Sequence, residues 1–434
     1  VIGFTRTDGT GTYGLEEYYN DVLSGVNGRQ YGYLNSDSNF EKTIKPAVNG
    51  NTLVTTIDAT IQSVVEKKIQ EFNEAYTDGY REGEGGATRI GVLIMKPDNG
   101  DVLAMAQYPN YDLSNPWDLS EYYTQEEIDA MSDEETVTAL NAMWSNFCVT
   151  DAFEPGSVVK PIVMAGALEK GKISVNDTFT CDGGETFGAN GDTYIKCAVW
   201  PDAHGTETLR EVIANSCNDA MMQIAARMGT ESFLKAQSLF NFGSRTGIDL
   251  PNEGSGVIHT TDTMGETELA CSAFGQGFTC TMLQEINAMC SVINGGYYYQ
   301  PHLVTAVKDS SGGTVRTIEP VLLKQTISSD ISADIRSYMQ ASVQEGTSRT
   351  SKVEGYSSGG KTGTAEKLPR GENKNVVSFI GYAPQENPEI MIYVVIDEPN
   401  APDQSATSSL ISQLASDIMA EAFPYLNITK APAE

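Results

Sequence analysis

Ser157 and Lys160 stand three residues apart in E-P-G-S-V-V-K-P, residues 154–161. A serine hydroxyl attacks a carbonyl when something removes its proton, and a neutral lysine amine can do so. Lysine's ordinary pKa is about 10.4, so neutrality near pH 7 needs about 4 kcal/mol of help from burial or a neighbouring cation. A helix starting near Gly156 would set positions i and i+3 on one face. It would tolerate Pro161 in its first turn, where a missing N–H costs little. Its free N–H groups and partial positive charge would point at whatever forms on Ser157. The same pair also occurs on ordinary surface helices, so S-x-x-K alone does not define a nucleophile.

Two later stretches give it meaning. N-S-C-N-D carries Ser216 and Asn218, and G-G-K-T-G-T-A-E-K carries Lys361, Thr362, Gly363 and Thr364. S-x-x-K, S-D-N and K-T-G together, in this order, are the signature of serine β-lactamases and penicillin-binding proteins. Here Cys217 stands where the middle Asp would be. Each triplet has a physical task. Ser216 can relay a proton between Lys160 and a leaving amine, and Asn218 can hold a peptide carbonyl or orient Lys160. Lys361 adds positive charge, expected to depress Lys160 and attract a substrate carboxylate. Gly359, Gly360 and Gly363 let a substrate backbone lie close to their strand. Thr362 and Thr364 offer hydroxyls to the carboxylate, and the N–H groups of Ser157 and Thr364 would form an oxyanion hole.

On these motifs the chain resembles the class B penicillin-binding proteins, the monofunctional peptidoglycan D,D-transpeptidases, and within them the division or sporulation type. G-L-E-E-Y-Y-N-D-V-L-S-G-V-N-G is similar to the end of that class's N-terminal pedestal, and L-V-T-T-I-D-A-T-I-Q to the start of its transpeptidase domain. H-G-T-E-T-L-R-E-V-I-A-N-S-C-N and F-G-Q-G-F-T-C-T-M-L-Q-E-I-N-A-M-C-S-V-I-N-G-G-Y-Y-Y-Q-P-H-L-V also read like the family. The resemblance implies an acyl-enzyme on Ser157, crosslinking of stem peptides, acylation by β-lactams, and no cofactor for catalysis. It implies an extracytoplasmic enzyme anchored by an N-terminal helix, and a chain starting at Val1 rather than Met fits an expectation that this helix is absent here. Expected partners are peptidoglycan stem peptides, β-lactam antibiotics, a membrane glycosyltransferase and division or sporulation proteins. The competing readings are a D,D-carboxypeptidase or β-lactamase with water as acceptor, and a non-catalytic β-lactam sensor. No glutamate-bearing loop of the kind a class A β-lactamase uses is identifiable, and the complete motif set argues against a sensor.

These residues must be held by a sizeable core. The 434 residues are 40% hydrophobic and 20% charged, which suits a globular chain. The net charge of −30 provides no basic footprint for nucleic acid. No apolar run approaches the roughly 18–20 residues that span a bilayer. Asp58 is a good N-cap, and Ile61, Val64, Val65, Ile69 and Phe72 recur at helical spacing after it. Residues 77–88 read as a loop. Pro97-Asp98-Asn99-Gly100 turns a β-hairpin over 89–109. Residues 113–148 read as partly helical, and roughly 156–300 as helices and Gly-rich turns. A second hairpin joins 376–383 to 390–396, and Leu410, Ile411, Leu414, Ile418 and Phe423 stripe a closing helix. This order predicts an α+β fold of the penicillin-binding transpeptidase and serine β-lactamase type: one antiparallel sheet flanked by helices, with a helical block inserted. Residues 1–50 read as the remnant of a pedestal or linker, and 51–434 as the transpeptidase domain.

One cluster stands apart. Cys181, Cys197, Asp202 and His204 fall within 24 residues, in a chain with only three histidines. Two thiolates, an imidazole and a carboxylate could hold a structural zinc ion. A Cys181–Cys197 disulfide suits an extracytoplasmic protein, and two unlinked thiols beside a structural histidine are the third alternative. In the family the sequence H-G-T is common without any metal, which makes His204 the weakest of the four. The remaining cysteines read as small buried hydrophobes.

Overall fold

The computed structural model describes residues 1–36, 40–188, 190, 191, 193–403 and 407–431. Asp58 accepts from the N–H groups of Thr60 and Ile61 at 2.9 and 3.1 Å, capping helix α1, Ala59–Ala75. Two hairpins follow the apolar runs. Strands β1 (Ala87–Met95) and β2 (Val102–Tyr108) come early in the chain, and β3 (Gly359–Glu366), β4 (Asn375–Ala383) and β5 (Ile390–Pro399) come late. They form one antiparallel sheet in the order β3-β4-β5-β1-β2. As expected, the two ends of the chain build the sheet and a helical block is inserted between them.

Strand β5 shows how the sheet divides the interior. Ile390, Ile392, Val394 and Ile396 face α1 and the closing helix α7 (Thr407–Tyr425), against Ile61, Val65, Ile69, Ile411, Leu414, Ile418 and Phe423. Met391, Tyr393 and Val395 face the helical block. Period-2 alternation puts successive side chains on opposite faces, and because both faces are covered the strand reads as an unbroken apolar run.

Within the block, α3 (Lys160–Glu169) is buried over all but its last residue, and α5 (Met282–Ile293) is buried throughout. Helix α4 (Asn218–Met228) starts in the second motif, and α6 (Ser329–Gln344) packs on β3. Helix α2, Asp133–Trp144, is capped reciprocally by Ser132 and Glu135 in the acidic stretch read as partly helical. Two short hairpins lie in the middle region that read as helical. Strand Thr178–Cys181 pairs with Gly205–Thr208, and Gly184–Phe187 with Thr193–Lys196. Four-residue strands are too short to display a period.

Residues 1–50 behave as two pieces. Leu15 and Tyr19 join the main core, and the Tyr19 hydroxyl donates to Asp249 at 2.9 Å. Asp249 in turn accepts from the N–H groups of Leu303 and Val304. The ladder Arg29–Leu34 with Phe40–Lys45 is exposed along its whole length.

Candidate active site

The chain enters the site through a 3-10 turn, Gly156–Val159, that runs directly into α3. The expected helix start is therefore one tight turn, in which residues i and i+3 eclipse. This puts Ser157 on the same side as Lys160 more strictly than an α-helix would. Pro161 lies in the first turn of α3, where it was expected. Ser157 is half-buried, and Lys160 is 0% exposed.

Two glycines let this turn meet strand β3. Gly156 has φ +65°, and a Cβ there would lie 2.6 Å from the carbonyl oxygen of Thr364. A Cβ on Gly363 would lie 2.5 Å from Ser378 Oγ, 3.0 Å from Val158 Cγ1 and 3.1 Å from the carbonyl oxygen of Pro155. Side chains do not fit at these approaches, so glycine at both positions is what brings Ser157 against K-T-G. The N–H of Thr362 donates to Ser348 Oγ at 3.2 Å, away from β4. Antiparallel pairing alternates the direction of successive N–H groups, so the N–H of Thr364 also points off the sheet edge, on the side of the Ser157 turn.

Ser216 is the hub. The Lys160 Nζ donates to the Ser216 carbonyl and to Asn218 Oδ1, both at 2.6 Å, and lies 3.1 Å from Ser216 Oγ. The Lys361 Nζ donates to the same Oγ and to the carbonyl of Thr362, both at 2.9 Å. A hydroxyl oxygen has two lone pairs and one proton. Accepting from both lysines leaves the Ser216 proton available to a third group. Ser216 holds this position with φ +58°, a left-handed conformation that costs a non-glycine residue about 1–3 kcal/mol.

Both lysines are fully buried, and no carboxylate is within ion-pairing distance of either among the described residues. Burial brings Lys160 down to about 8. Lys361 is lowered well below the usual lysine range, by burial first and by the Lys160 charge second. Burial is the leading cause at both lysines, and the repulsion between two amines that share Ser216 Oγ works in the same direction. The pair sheds a proton more readily than either lysine would in water.

The other carboxylate-binding candidates separate. Thr364 is exposed at the site. Thr362 is buried, and its hydroxyl donates to Thr347 Oγ1 at 3.2 Å. Glu154, not singled out from sequence, ties the neighbourhood together. It accepts from the N–H of Gly277 at 2.7 Å and pairs with Arg370 in the loop after β3 at 2.9 Å.

The cysteine cluster is rearranged relative to the sequence reading. The donor atoms of Cys181, Cys197, His204 and Cys217 lie within 4.8 Å of one another. Asp202 is exposed and outside the group, and Cys217, from the second motif, takes the fourth place. The pairing of Gly205 with Cys181 explains this, since it carries His204 to the thiol and leaves Asp202 in the connecting turn. All seven cysteines are free thiols, Cys181 and Cys197 included.

A half-buried serine at a tight turn, a buried lysine beside it and a glycine-lined edge strand are what this fold brings together. Residues 90–420 match the penicillin binding protein transpeptidase domain, and the chain belongs to that family. It is 33% identical to stage V sporulation protein D of Bacillus subtilis over 99% of its own length and 62% of the relative's. It is 26% identical to penicillin-binding protein PbpB of Mycobacterium tuberculosis, over 94% of this chain and 58% of that one. The chain thus spans about three fifths of these curated relatives. Among solved structures, penicillin binding protein 3 of Mycobacterium tuberculosis complexed with ampicillin is similar with a TM-score of 0.80 and 26% identity, covering 100% of this chain and 88% of that one. Its complex with aztreonam gives a TM-score of 0.79 at 26% identity, covering 100% of this chain and 89% of that one. Among the described residues no helix is long and apolar enough to cross a membrane.

Proposed function

We propose that this chain is a serine D,D-transpeptidase that crosslinks peptidoglycan stem peptides through an acyl-enzyme on Ser157. The observation that carries the reading is the convergence of two buried lysines on Ser216 Oγ beside the Ser157 turn. In the neutral form, Lys160 has two N–H groups, matched by the Ser216 carbonyl and Asn218 Oδ1, and a lone pair left to take the Ser157 proton. Ser157 Oγ then bonds to the carbonyl carbon of the penultimate D-Ala. The oxyanion is received by the N–H groups of Ser157 and Thr364. Ser216 passes its proton to the departing D-Ala amine and is resupplied from Lys160. The exposed Thr364 holds the terminal carboxylate, and the Lys361 amine, buried behind it, contributes its attraction from there. An amine of a neighbouring stem enters by the reverse path, and the ester gives way to the crosslink.

β-Lactams present the same carbonyl beside a carboxylate and acylate the same serine. The titles of the similar solved structures name complexes with ampicillin and aztreonam, which supports this part of the reading. The sporulation name of one relative and the kinship with penicillin-binding proteins support an extracytoplasmic, membrane-anchored enzyme working with a membrane glycosyltransferase and division or sporulation partners.

Labelled penicillin followed by peptide mass mapping tests the reading. A long-lived adduct on Ser157, absent in Ser157→Ala, is expected. Folded wild-type protein without an adduct would defeat acyl transfer on Ser157, and rapid release would shift the reading to hydrolysis with water as acceptor.

A further inference from the structure

Acyl transfer leaves the three thiols and the imidazole beside the second motif without a task. We propose that Cys181, Cys197, His204 and Cys217 form a tetrahedral zinc site that pins the Ser216–Asn218 segment to the two short hairpins.

The geometry suits the ion. Cys197 Sγ lies 3.9 Å from Cys217 Sγ and 3.9 Å from His204 Nδ1. A zinc tetrahedron with sulfur arms of about 2.3 Å has edges of about 3.8 Å. The three cysteines are 1%, 2% and 0% exposed, so the donors already converge in a dry place. A disulfide would use two of these donors and leave a thiol and an imidazole facing it.

A second observation points the same way. Glu207 is 2% exposed, and one of its carboxylate oxygens has no hydrogen-bond partner. That oxygen lies 3.6 Å from His204 Nδ1, at the edge of the cluster. A buried carboxylate oxygen without a partner is costly, and its place against His204 at the rim of the cluster is that of an outer group that orients a metal ligand. Thiolate and imidazole donors select zinc over calcium or magnesium, which prefer oxygen.

The ligands come from four places. Cys181 ends one strand, His204 precedes that strand's partner, and Cys197 follows the second hairpin, its N–H donating to the Gly183 carbonyl at 2.9 Å. Cys217 caps α4, its sulfur accepting from the N–H of Ala220 at 3.4 Å. The buried Asp219 in the first turn of α4 accepts from the N–H of Asp182, so one link between hairpin and motif exists without metal. The ion adds three more. Fixing Cys217 fixes its neighbours Ser216 and Asn218, which between them hold Lys160. When zinc binds, the three thiols lose their protons to solvent and the histidine coordinates as the neutral ring. Nothing is oxidised or reduced.

The test uses this chain, stripped by a chelator under reducing conditions and titrated with cobalt(II) alone. The expected result is one equivalent of tetrahedral cobalt with thiolate charge-transfer bands, displaced by zinc, and about three protons released per ion. Cys181→Ser should weaken binding at least about 100-fold, whereas His204→Cys, which keeps four ligands, should retain it. The stripped protein should be acylated by labelled penicillin about tenfold more slowly and recover on adding zinc. An octahedral or absent cobalt spectrum, or thiol counting that finds Cys197 and Cys217 linked in the native protein, would overturn the site. An unchanged acylation rate in the stripped protein would overturn its coupling to the motif. Ser157→Ala should bind cobalt like wild type, so this outcome is independent of the acyl-transfer reading.

Discussion

The two faces of the central sheet are built on different terms. Behind it, α1 and α7 close on side chains that are almost all aliphatic or aromatic. On the other side, toward the helical block, lie Lys160, Lys361, Asp219 and Glu285, all 0% exposed. Burial pushes the Glu285 carboxyl up to about 8, so that group sits in the interior largely without charge near neutral pH. The difference teaches where stability and chemistry are separated. The back face is packing alone, whereas the front face sets the larger apolar core around polar groups held in a state that water would not allow.

Three substitutions or conditions would break or sharpen this division. The largest effect is expected for Lys160→Met. Acylation of Ser157 should fall by about 10²–10⁴, the range for loss of a general base. The melting temperature should hold or rise, because relief of a buried amine offsets its lost hydrogen bonds to Ser216 and Asn218. Rapid acylation in this variant would remove Lys160 from the mechanism. The converse is Ile396→Ala on the back face, where Ile396 is 0% exposed. It should cost about 2–5 kcal/mol in denaturant unfolding while leaving the acylation rate per folded molecule unchanged. A matching loss of acylation would mean that the two faces are not separable. The smallest effect is one of pH. With Lys160 lowered to about 8, the neutral base accumulates as pH rises through that value. Acylation should therefore climb with pH about tenfold per unit below 8 and level off above it. A profile that is flat from 6 to 9 would place the proton elsewhere.

Much of this arrangement was legible in the sequence, for local reasons. Asp58 capping a striped helix, and apolar runs on either side of Pro97-Asp98-Asn99-Gly100, are decided by neighbouring residues, and the structure contains both. The motif residues were legible because each triplet is compact. What escaped is what depends on distant partners. Asp202 sits close to Cys197 in the chain and still points to solvent, whereas Cys217 reaches the cluster because strand pairing folds residues 178–208 back on α4. Cys217 was visible as the odd residue in S-x-N, and that anomaly was the available signal. The same holds for Tyr19, whose role depends on Asp249, 230 residues away. Glu154 looked like part of a loop, and its ties to Gly277 and Arg370 cannot be inferred from spacing.

Among the described residues strand β3 ends the sheet, with β4 on one side and no strand on the other. Such an edge invites pairing with any extended chain, and proteins restrain it by keeping the free length short. Here Ser348 occupies the edge at Thr362, and beyond it the exposed Thr364 begins the open stretch. A guest peptide that docks there is gripped by its main chain more than by its side chains. Under the proposed function the edge would work as a template with a short, fixed reading frame. It would tolerate varied side chains along the guest and leave discrimination to the carbonyl that must reach Ser157 and to the groups at either end of the frame.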